Sequence, residues 1–295
     1  APELFELLAD ADAALAAGTD FDAVATRAWS VDVPESLVHV TLEPADLATG
    51  YEPTVGIVAD AAVALSALES ALEDRAVPAG DDDARERADE VRRATRDRLA
   101  GLRTSSPPLS SVSALEAVRE AVPREAIVTV DAGGFRVWGL NVFEAAGPRS
   151  YVNPGSWATM GTGLPSGIGA QLANPDDDVV VLTGDGGLMM CVHELHTAIA
   201  EDVPLTVVVF VNEDYAIISD DAARNYGLDA GEYGWSDAPI DFVALADSLG
   251  LRAERAATTT EIQSQLASAI DADEPVVLAV PTDPPEPQAS DWMRD

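Results

Sequence analysis

The feature that most constrains the fold is an alternation of short apolar runs with helical patterns through residues 111–285. The runs "AIVTV", "DVVVLTG", "LTVVVFVN" and "PVVLAVP" are almost continuous in Val, Ile and Leu, which predicts strands buried on both faces. Helical patterns between successive strands imply right-handed crossovers, and therefore a doubly wound parallel sheet of the α/β class. In such a sheet ligands bind beyond the carboxyl ends of the strands.

The chain before this repeat has a different pattern. Residues 1–75 combine short apolar runs such as "LVHVTLEP" with an Ala-rich helical pattern, which predicts a second, smaller α/β domain. Residues 76–110 contain a turn, a charged helix and a Ser/Pro linker, and we place the domain boundary there. Residues 286–295 are predicted to be a tail. The first residues lack a basic region and a start methionine, so we expect neither a signal peptide nor a natural start. We therefore expect this sequence to be a piece of a longer chain.

Composition indicates the environment of the protein and the classes of partner that it can bind. Fifty-two acidic residues face seventeen basic ones, all of them arginine, for a formal net charge of −35. Repulsion among so many acids would destabilise the fold in dilute buffer, but molar salt screens it. Because the acids are spread along the chain, we expect a salt-rich cytoplasm; an acidic interaction surface is the alternative. Nucleic acid is not expected as a partner, because phosphate binding needs clustered Lys and Arg. Cys191 is the single cysteine and no run of about 18 apolar residues occurs, so neither an internal disulfide nor a membrane span is expected.

Two of the predicted strands end in polar side chains that suit a divalent cation. Asp185 follows "VVVLT" and Asn212 ends "LTVVVFV", one helix and one strand later, so we expect both on the same rim of the sheet. Carboxylate, amide and loop carbonyl oxygens suit Mg²⁺, which commonly completes its shell with phosphates and water. Gly184, Gly186 and Gly187 would let a diphosphate approach the backbone. The alternative is that "GDG" is only a strand-ending turn.

The segment "GDGGLMMCVHELHTAIAEDVPLTVVVFVNEDYAII" resembles the thiamine diphosphate motif, which opens with GDG and closes with an asparagine. The segment "YVNPGSWATMGTGLPSGIGAQLANPDDDVVVLTGDG" resembles the acetohydroxyacid (acetolactate) synthase branch of the 2-oxoacid enzymes. Residues 110–282 match that family's diphosphate-binding domain, and residues 1–74 resemble the latter part of its middle domain. The resemblance implies the thiamine diphosphate-binding fold, preceded by part of the smaller α/β domain.

The resemblance implies a role for each position of the motif. Asp185 and Asn212 correspond to side-chain ligands of Mg²⁺, and the carbonyl of Asp214 corresponds to a third ligand. Relatives often carry glycine at position 214, a departure that a backbone ligand tolerates. The diphosphate contacts would come from the loop glycines and from the residues after the asparagine: Gly184, Gly186, Gly187, Tyr215, Ala216 and Ile217.

The stretch "WATMGTGLP" corresponds to the part of the family that shapes the cofactor. Met160 matches the bulky apolar residue beneath the bent cofactor, and Ala158 the residue whose carbonyl accepts a hydrogen bond from the aminopyrimidine. The bend brings the cofactor's own amine to the thiazolium C2 proton, so proximity substitutes for a protein base. The simpler alternative is that Met160 fills the core, as methionine often does.

The resemblance also implies that the active site is incomplete. The activating glutamate belongs to the family's amino-terminal pyrimidine-binding domain, which has no counterpart in this sequence, so no catalytic residue is predicted here. That domain would come from another subunit or from an upstream segment. The family resemblance further implies a 2-oxoacid substrate and a homodimer or tetramer.

Some positions depart from the family pattern. Gly134 and Phe135 occupy places where synthases carry a glutamine and a histidine, and Ile218 occupies one where some decarboxylases carry a glutamate. Arg136 is next to them, and it is expected either to contact the phosphate or to form a surface pair.

Two other motifs suggest different ligands. "CVHELH" has a zinc-like spacing, but Cys191 and His193 would lie about 200° apart on a helix that we predict to run to about Ala200, so we expect packing or solvated histidines. "GTGLPSGIG" imitates a dinucleotide fingerprint, but no strand precedes it, so a nicotinamide site is not expected.

The family resemblance implies decarboxylation of a 2-oxoacid followed by carboligation, dependent on thiamine diphosphate and Mg²⁺. With pyruvate as donor and acceptor, the product would be acetolactate. A 2-oxoacid decarboxylase is one alternative, and an oxidase, which would need FAD, is another. A cofactor-binding, non-catalytic subunit is the alternative from a different functional class.

Overall fold

The computed structural model describes residues 2–23, 25–73, 75, 82–229 and 232–283. The chain divides into two compact units, one that ends at Arg98 and one that begins at Leu99. The division falls inside the segment 76–110. The predicted tail at residues 286–295 lies outside the described residues, and so does the turn that was predicted to open the linker.

The first unit is a small parallel α/β unit. Its strands and helices, together with the charged helix that ends just beyond it, are α1 (Pro2–Ala9), β1 (Ala14–Ala17), β2 (Leu37–Thr41), β3 (Val55–Val58), α2 (Ala61–Glu73) and α3 (Asp82–Ala100). The central strand β2 pairs in parallel with β1 and with β3. Its side chains are largely buried, whereas β3 is exposed along its whole length.

The second unit contains the larger sheet and its helices. In chain order they are α4 (Ser111–Ala121), β4 (Ile127–Val130), α5 (Gly134–Val142), β5 (Tyr151–Val152), α6 (Gly163–Ala173), β6 (Val179–Gly184), α7 (Asp185–Cys191), α8 (Glu194–Ala200), β7 (Thr206–Val211), α9 (Ala216–Tyr226), α10 (Phe242–Ser248), β8 (Arg252–Arg255), α11 (Thr259–Ile270) and β9 (Val276–Pro281). Among the described residues, no helix combines the length and the apolarity needed to cross a membrane.

All strands of the larger sheet are parallel, in the order β5-β4-β6-β7-β9-β8. The chain leaves β4 toward β5 at one edge and then returns past β4 to β6, so the strand order reverses beside β4. A reversal of this kind opens a crevice at the carboxyl ends of the strands. The prediction of a doubly wound parallel α/β sheet with a smaller α/β domain before it is confirmed.

The sheet forms the core of this unit because its central strands are buried on both faces. Residues Val179–Thr183 of β6 and Thr206–Phe210 of β7 are all almost inaccessible to solvent. Successive side chains of a strand point to opposite faces, so both faces need a cover of helices. The buried cluster on one face joins alternate strand residues to apolar side chains from α6, α7, α8 and α10.

Three elements differ from the sequence-based expectation. The single helix expected up to Ala200 is two helices, α7 and α8, joined by a tight turn. In that turn Leu195 N–H donates to Val192 O and His196 N–H to His193 O, three residues back, as in a 3₁₀ turn. The edge strands β5 and β8 were not expected, because one contains only two residues and the other, "RAER", has no apolar run.

Candidate functional site

A cavity of about 290 Å³ lies at the carboxyl ends of β4, β6 and β7. It is lined by every residue that the sequence suggested for cofactor or metal binding: Ala158, Met160, Gly184, Asp185, Gly186, Gly187, Asn212, Asp214, Tyr215, Ala216 and Ile217. The listed residues belong to three separate segments of the chain, 158–160, 184–187 and 212–217. The parallel topology brings them together, because each segment follows a strand that ends at this rim.

Asp185 is held in place by the backbone of two loops. Its Oδ1 accepts the N–H of Gly186 at 2.8 Å, and its Oδ2 accepts the N–H groups of Asn212 at 3.1 Å and Glu213 at 2.7 Å. The carboxylate therefore connects the end of β6 to the loop that follows β7. Its orientation toward the cavity is fixed without help from another side chain.

The charge of Asp185 has no cationic partner among the described residues. The side chain is only 3% exposed, and this burial raises its pKa to about 6, although the hydrogen bonds from Glu213, Gly186 and Asn212 act in the opposite direction. A buried carboxylate surrounded by neutral donors is costly when ionised. A bound cation would supply the missing charge.

The loop after β7 offers two further oxygen atoms near this carboxylate. Asn212 Oδ1 accepts the N–H of Asp214 at 3.2 Å, which leaves the amide oxygen a second lone pair. The carboxylate of Asp214 points to Ser219, whose hydroxyl donates to it at 2.6 Å. The Asp214 carbonyl accepts no hydrogen bond from the described residues. Carboxylate, amide and carbonyl oxygens form a donor set that suits Mg²⁺.

Close packing against protein atoms requires glycine at two positions of the "GDGG" turn, Gly186 and Gly187. A Cβ at position 186 would lie 2.4 Å from Tyr215 Cε1 and 3.4 Å from Met160 Cε. A Cβ at position 187 would lie 2.6 Å from the Oδ2 of Asp131. The sequence argument explained these glycines by the approach of a diphosphate, whereas the structure gives an independent reason for them. It also shows that Met160 and Tyr215 close over Gly186.

Asp131 holds the loop that contains Met160, and its role was not recognised from the sequence. It is fully buried at the end of β4. Its Oδ1 accepts the N–H groups of Ala132 and Thr162, and its Oδ2 accepts the N–H of Gly161 at 3.0 Å and the hydroxyl of Thr183 at 3.0 Å. This one carboxylate thus joins β4, β6 and the loop that contains Met160. Its position directly after an apolar strand was the available signal.

Aromatic side chains form an apolar wall. Phe135, which occupies the place of the family histidine, is buried and stacks on Phe210 with ring centroids 5.0 Å apart. Tyr215 makes an edge contact with Trp235, also at 5.0 Å. The segment between α9 and α10 thus contributes a ring that supports Tyr215. Phe135 and Phe210 both line the cavity, so this side of it is apolar.

The zinc-like spacing corresponds to separated side chains. Cys191 is buried in α7 with its Sγ 3.7 Å from Gly187 O, whereas the side chain of His193 is 74% exposed beside Glu194. Burial raises the pKa of the Cys191 thiol to about 12. The residues that the structure describes contain no cluster of three or more His, Cys, Asp or Glu side chains arranged to hold a metal.

Comparison with known proteins identifies the domain around this cavity. Residues 131–280, about half of the chain, match the family described as "Thiamine pyrophosphate enzyme, C-terminal TPP binding domain". The matched segment begins at Asp131 and ends in β9, so it contains every residue predicted for the site. Thiamine pyrophosphate and thiamine diphosphate are the same compound.

Similar proteins are known in several organisms. A probable acetolactate synthase large subunit of Methanococcus aeolicus is 29% identical over an alignment of 292 positions that covers 94% of this chain and 48% of the relative. A protein with the same description from Methanocaldococcus jannaschii is 30% identical over 282 residues, 94% of this chain and 47% of the relative. A probable 2-ketoarginine decarboxylase of Pseudomonas aeruginosa is 32% identical over 267 residues, 89% of this chain and 45% of the relative.

The chain spans about half the length of the curated relatives it matches. Within that half, the family match covers strands β5 to β9 of the parallel sheet and both loops that Asp185 connects. The chain therefore belongs to the thiamine pyrophosphate enzymes and carries their C-terminal TPP binding domain.

Proposed function

We propose that this protein acts on 2-oxoacids with thiamine diphosphate and Mg²⁺, and that its reaction is an acetolactate synthase-like decarboxylation followed by carboligation. The observation that carries the proposal is the buried, uncompensated carboxylate of Asp185 in a cavity lined by all the predicted cofactor residues. The acetolactate synthase subunits among the relatives support the choice of reaction. When bound, the cofactor supplies the thiazolium group that accepts the electron pair left by departing CO₂.

The residues of this chain would bind and orient the cofactor. Asp185, Asn212 and the Asp214 carbonyl would hold Mg²⁺, which in turn would hold the diphosphate. The diphosphate would rest against the turn at Gly184, Gly186 and Gly187 and against the backbone of Tyr215, Ala216 and Ile217. The hydrogen bonds that Asp185 accepts support this arrangement, because they fix the carboxylate before any ligand enters.

Met160 and Ala158 would set the conformation of the rings. The Met160 side chain lies against Gly186 at the bottom of the cavity, where it would support a bent cofactor. Ala158 has a left-handed backbone conformation, with φ of 47°, in the same loop. Asp131 would hold this loop in register through the N–H groups of Gly161 and Thr162. The Phe135 and Phe210 rings would exclude water from the reacting atoms.

The complete active site would need a pyrimidine-binding domain from another subunit or from an upstream segment, in a homodimer or tetramer. The surroundings would be a salt-rich cytoplasm, which the net charge of −35 supports. A simple 2-oxoacid decarboxylase is the second candidate, because the decarboxylase relative is 32% identical to this chain. The two candidates differ in whether a second carbonyl compound or a proton completes the reaction.

The test has a binding step and a product step. The protein, in molar KCl, is titrated with thiamine diphosphate with and without MgCl₂; saturable binding that requires Mg²⁺ is expected. It is then combined with any subunit that supplies the pyrimidine-binding domain and given pyruvate. Acetolactate as product supports the synthase, acetaldehyde supports the decarboxylase, and failure to bind thiamine diphosphate in MgCl₂ would overturn both.

A further inference from the structure

Arg136 is a cation whose hydrogen-bond partners are all neutral. It lies in the first turn of α5 and lines the cavity. One guanidinium nitrogen donates to the Oδ1 of Asn153 at 3.3 Å and to the carbonyl of Gly155 at 3.1 Å. The Nε is buried and has no hydrogen-bond partner. None of the residues that the structure describes pairs a carboxylate with this arginine.

Several other arginines of this acidic protein pair with a carboxylate. Acidic residues outnumber arginines by 52 to 17, so carboxylates are available almost everywhere on the surface. Arg103, for example, donates two hydrogen bonds to Glu116, and Arg252 pairs with Glu254. A partly buried guanidinium that lacks such a partner carries a positive charge that no neighbouring anion neutralises.

The position of Arg136 determines which kind of group could neutralise its charge. Among the described residues that line the cavity, it is the only cationic side chain, and Asp185 and Asp214 are the acidic ones. An anionic ligand would therefore meet two like charges and a single opposite one. Arginine presents its N–H groups as a planar fork, which matches two oxygens of a phosphate or carboxylate group.

We propose that Arg136 binds an anionic oxygen group of the ligand that enters this cavity. The proposal rests on the proposed function, under which the cavity receives two anions, the diphosphate of the cofactor and the carboxylate of the 2-oxoacid. Both share the chemistry that the fork recognises. The hydrogen bonds to Asn153 and Gly155 use one terminal nitrogen of the guanidinium and leave the other terminal nitrogen, Nη1, for the ligand.

The test compares Arg136→Gln, Arg136→Lys and a matched control, Arg149→Gln. Arg149 is exposed in the loop before β5 and does not line the cavity, so its replacement changes the net charge equally without touching the site. Calorimetric titrations in molar KCl use thiamine diphosphate with MgCl₂, inorganic diphosphate with MgCl₂, and pyruvate. Thermal unfolding of each variant verifies that the fold is intact.

Loss of a charge-assisted contact should weaken binding by roughly 10- to 100-fold. If the diphosphate is the partner, Arg136→Gln weakens the binding of thiamine diphosphate and of inorganic diphosphate, while pyruvate binding stays unchanged. If the carboxylate is the partner, pyruvate binding weakens while both phosphate ligands bind normally. Arg136→Lys should retain part of the affinity in either case, because it keeps the charge and loses the fork.

The inference is overturned if folded Arg136→Gln binds all three ligands as tightly as Arg149→Gln does. The proposed function fails separately if the wild-type protein binds no thiamine diphosphate. In that case a loss of affinity for inorganic diphosphate or pyruvate in Arg136→Gln would still support an anion site at this residue.

Discussion

The carboxylate of Asp131 accepts the backbone N–H of Gly161 at 3.0 Å, which ties the end of β4 to the loop that carries Met160. Asp131→Asn replaces one acceptor oxygen with an NH₂ group that must face a donor. We expect a loss of about 1–3 kcal/mol in the free energy of unfolding, the cost of leaving buried groups unpaired. Denaturant unfolding measures it, with Asp176→Asn on the exposed turn before β6 as the control. Equal stability of the two variants would contradict the role given to Asp131.

Glycine at position 187 is required by the same carboxylate. Gly187→Ala would place a Cβ 2.6 Å from Asp131 Oδ2 and 3.1 Å from Thr183 Oγ1, so we expect a loss of about 1–3 kcal/mol in the free energy of unfolding. Gly169→Ala is the matched control, because Gly169 lies in α6 with no atom within 4 Å of its Cβ position. There alanine should stabilise the helix by up to about 1 kcal/mol. Chemical denaturation of both variants separates steric conflict from a general effect of adding a methyl group.

The buried thiol of Cys191 should be unreactive in the folded protein. Burial raises its pKa to about 12, so at pH 8 only on the order of one molecule in ten thousand carries the reactive thiolate. A chromogenic disulfide reagent should label the protein at pH 8 only after unfolding in urea. The folded state holds this proton more tightly than the unfolded state, so the contribution of Cys191 to stability falls as the pH rises above about 9. Rapid labelling of the native protein would show that the site opens.

The net charge of −35 should make stability depend on salt. Repulsion among the acids is weakly screened at low ionic strength and strongly screened in molar salt. The midpoint of thermal unfolding should therefore rise steadily as KCl is increased from millimolar to molar concentration. A midpoint that does not change, or that falls, would contradict the proposed adaptation to a salt-rich cytoplasm.

Strand periodicity in the sequence predicts part of the cavity lining. Asp185 and Asn212 could be predicted because each ends a strongly apolar run, and parallel strands bring their carboxyl ends to one rim. The assignment of Met160 needed the family resemblance, because a methionine in an irregular loop has no periodicity that distinguishes it from core filler. Asp131 also ends an apolar strand, but its partners are mostly backbone N–H groups, which a sequence pattern does not reveal.

Other features depended on geometry that is invisible in the sequence. The turn between α7 and α8 has residues with ordinary helix propensity, so the change to hydrogen bonds three residues back could not be expected. Phe135 was recognised only as a departure from the family, and its stacking on Phe210 gives it a structural role. The sequence left open whether Arg136 contacts a ligand or forms a surface ion pair. Its hydrogen-bond partners are neutral, which argues against the ion pair.

The central claim is that the Asp185 carboxylate holds the magnesium ion of a bound diphosphate. The most direct measurement is a calorimetric titration of Asp185→Asn and Asp176→Asn with thiamine diphosphate in MgCl₂ and molar KCl, each checked for folding by thermal unfolding. Removing a metal ligand costs at least as much as removing one of its supporting residues, so Asp185→Asn should bind at least about 100-fold more weakly than wild type, and Asp176→Asn should bind normally. Folded Asp185→Asn that binds thiamine diphosphate as tightly as wild type, with the same dependence on Mg²⁺, would contradict the account.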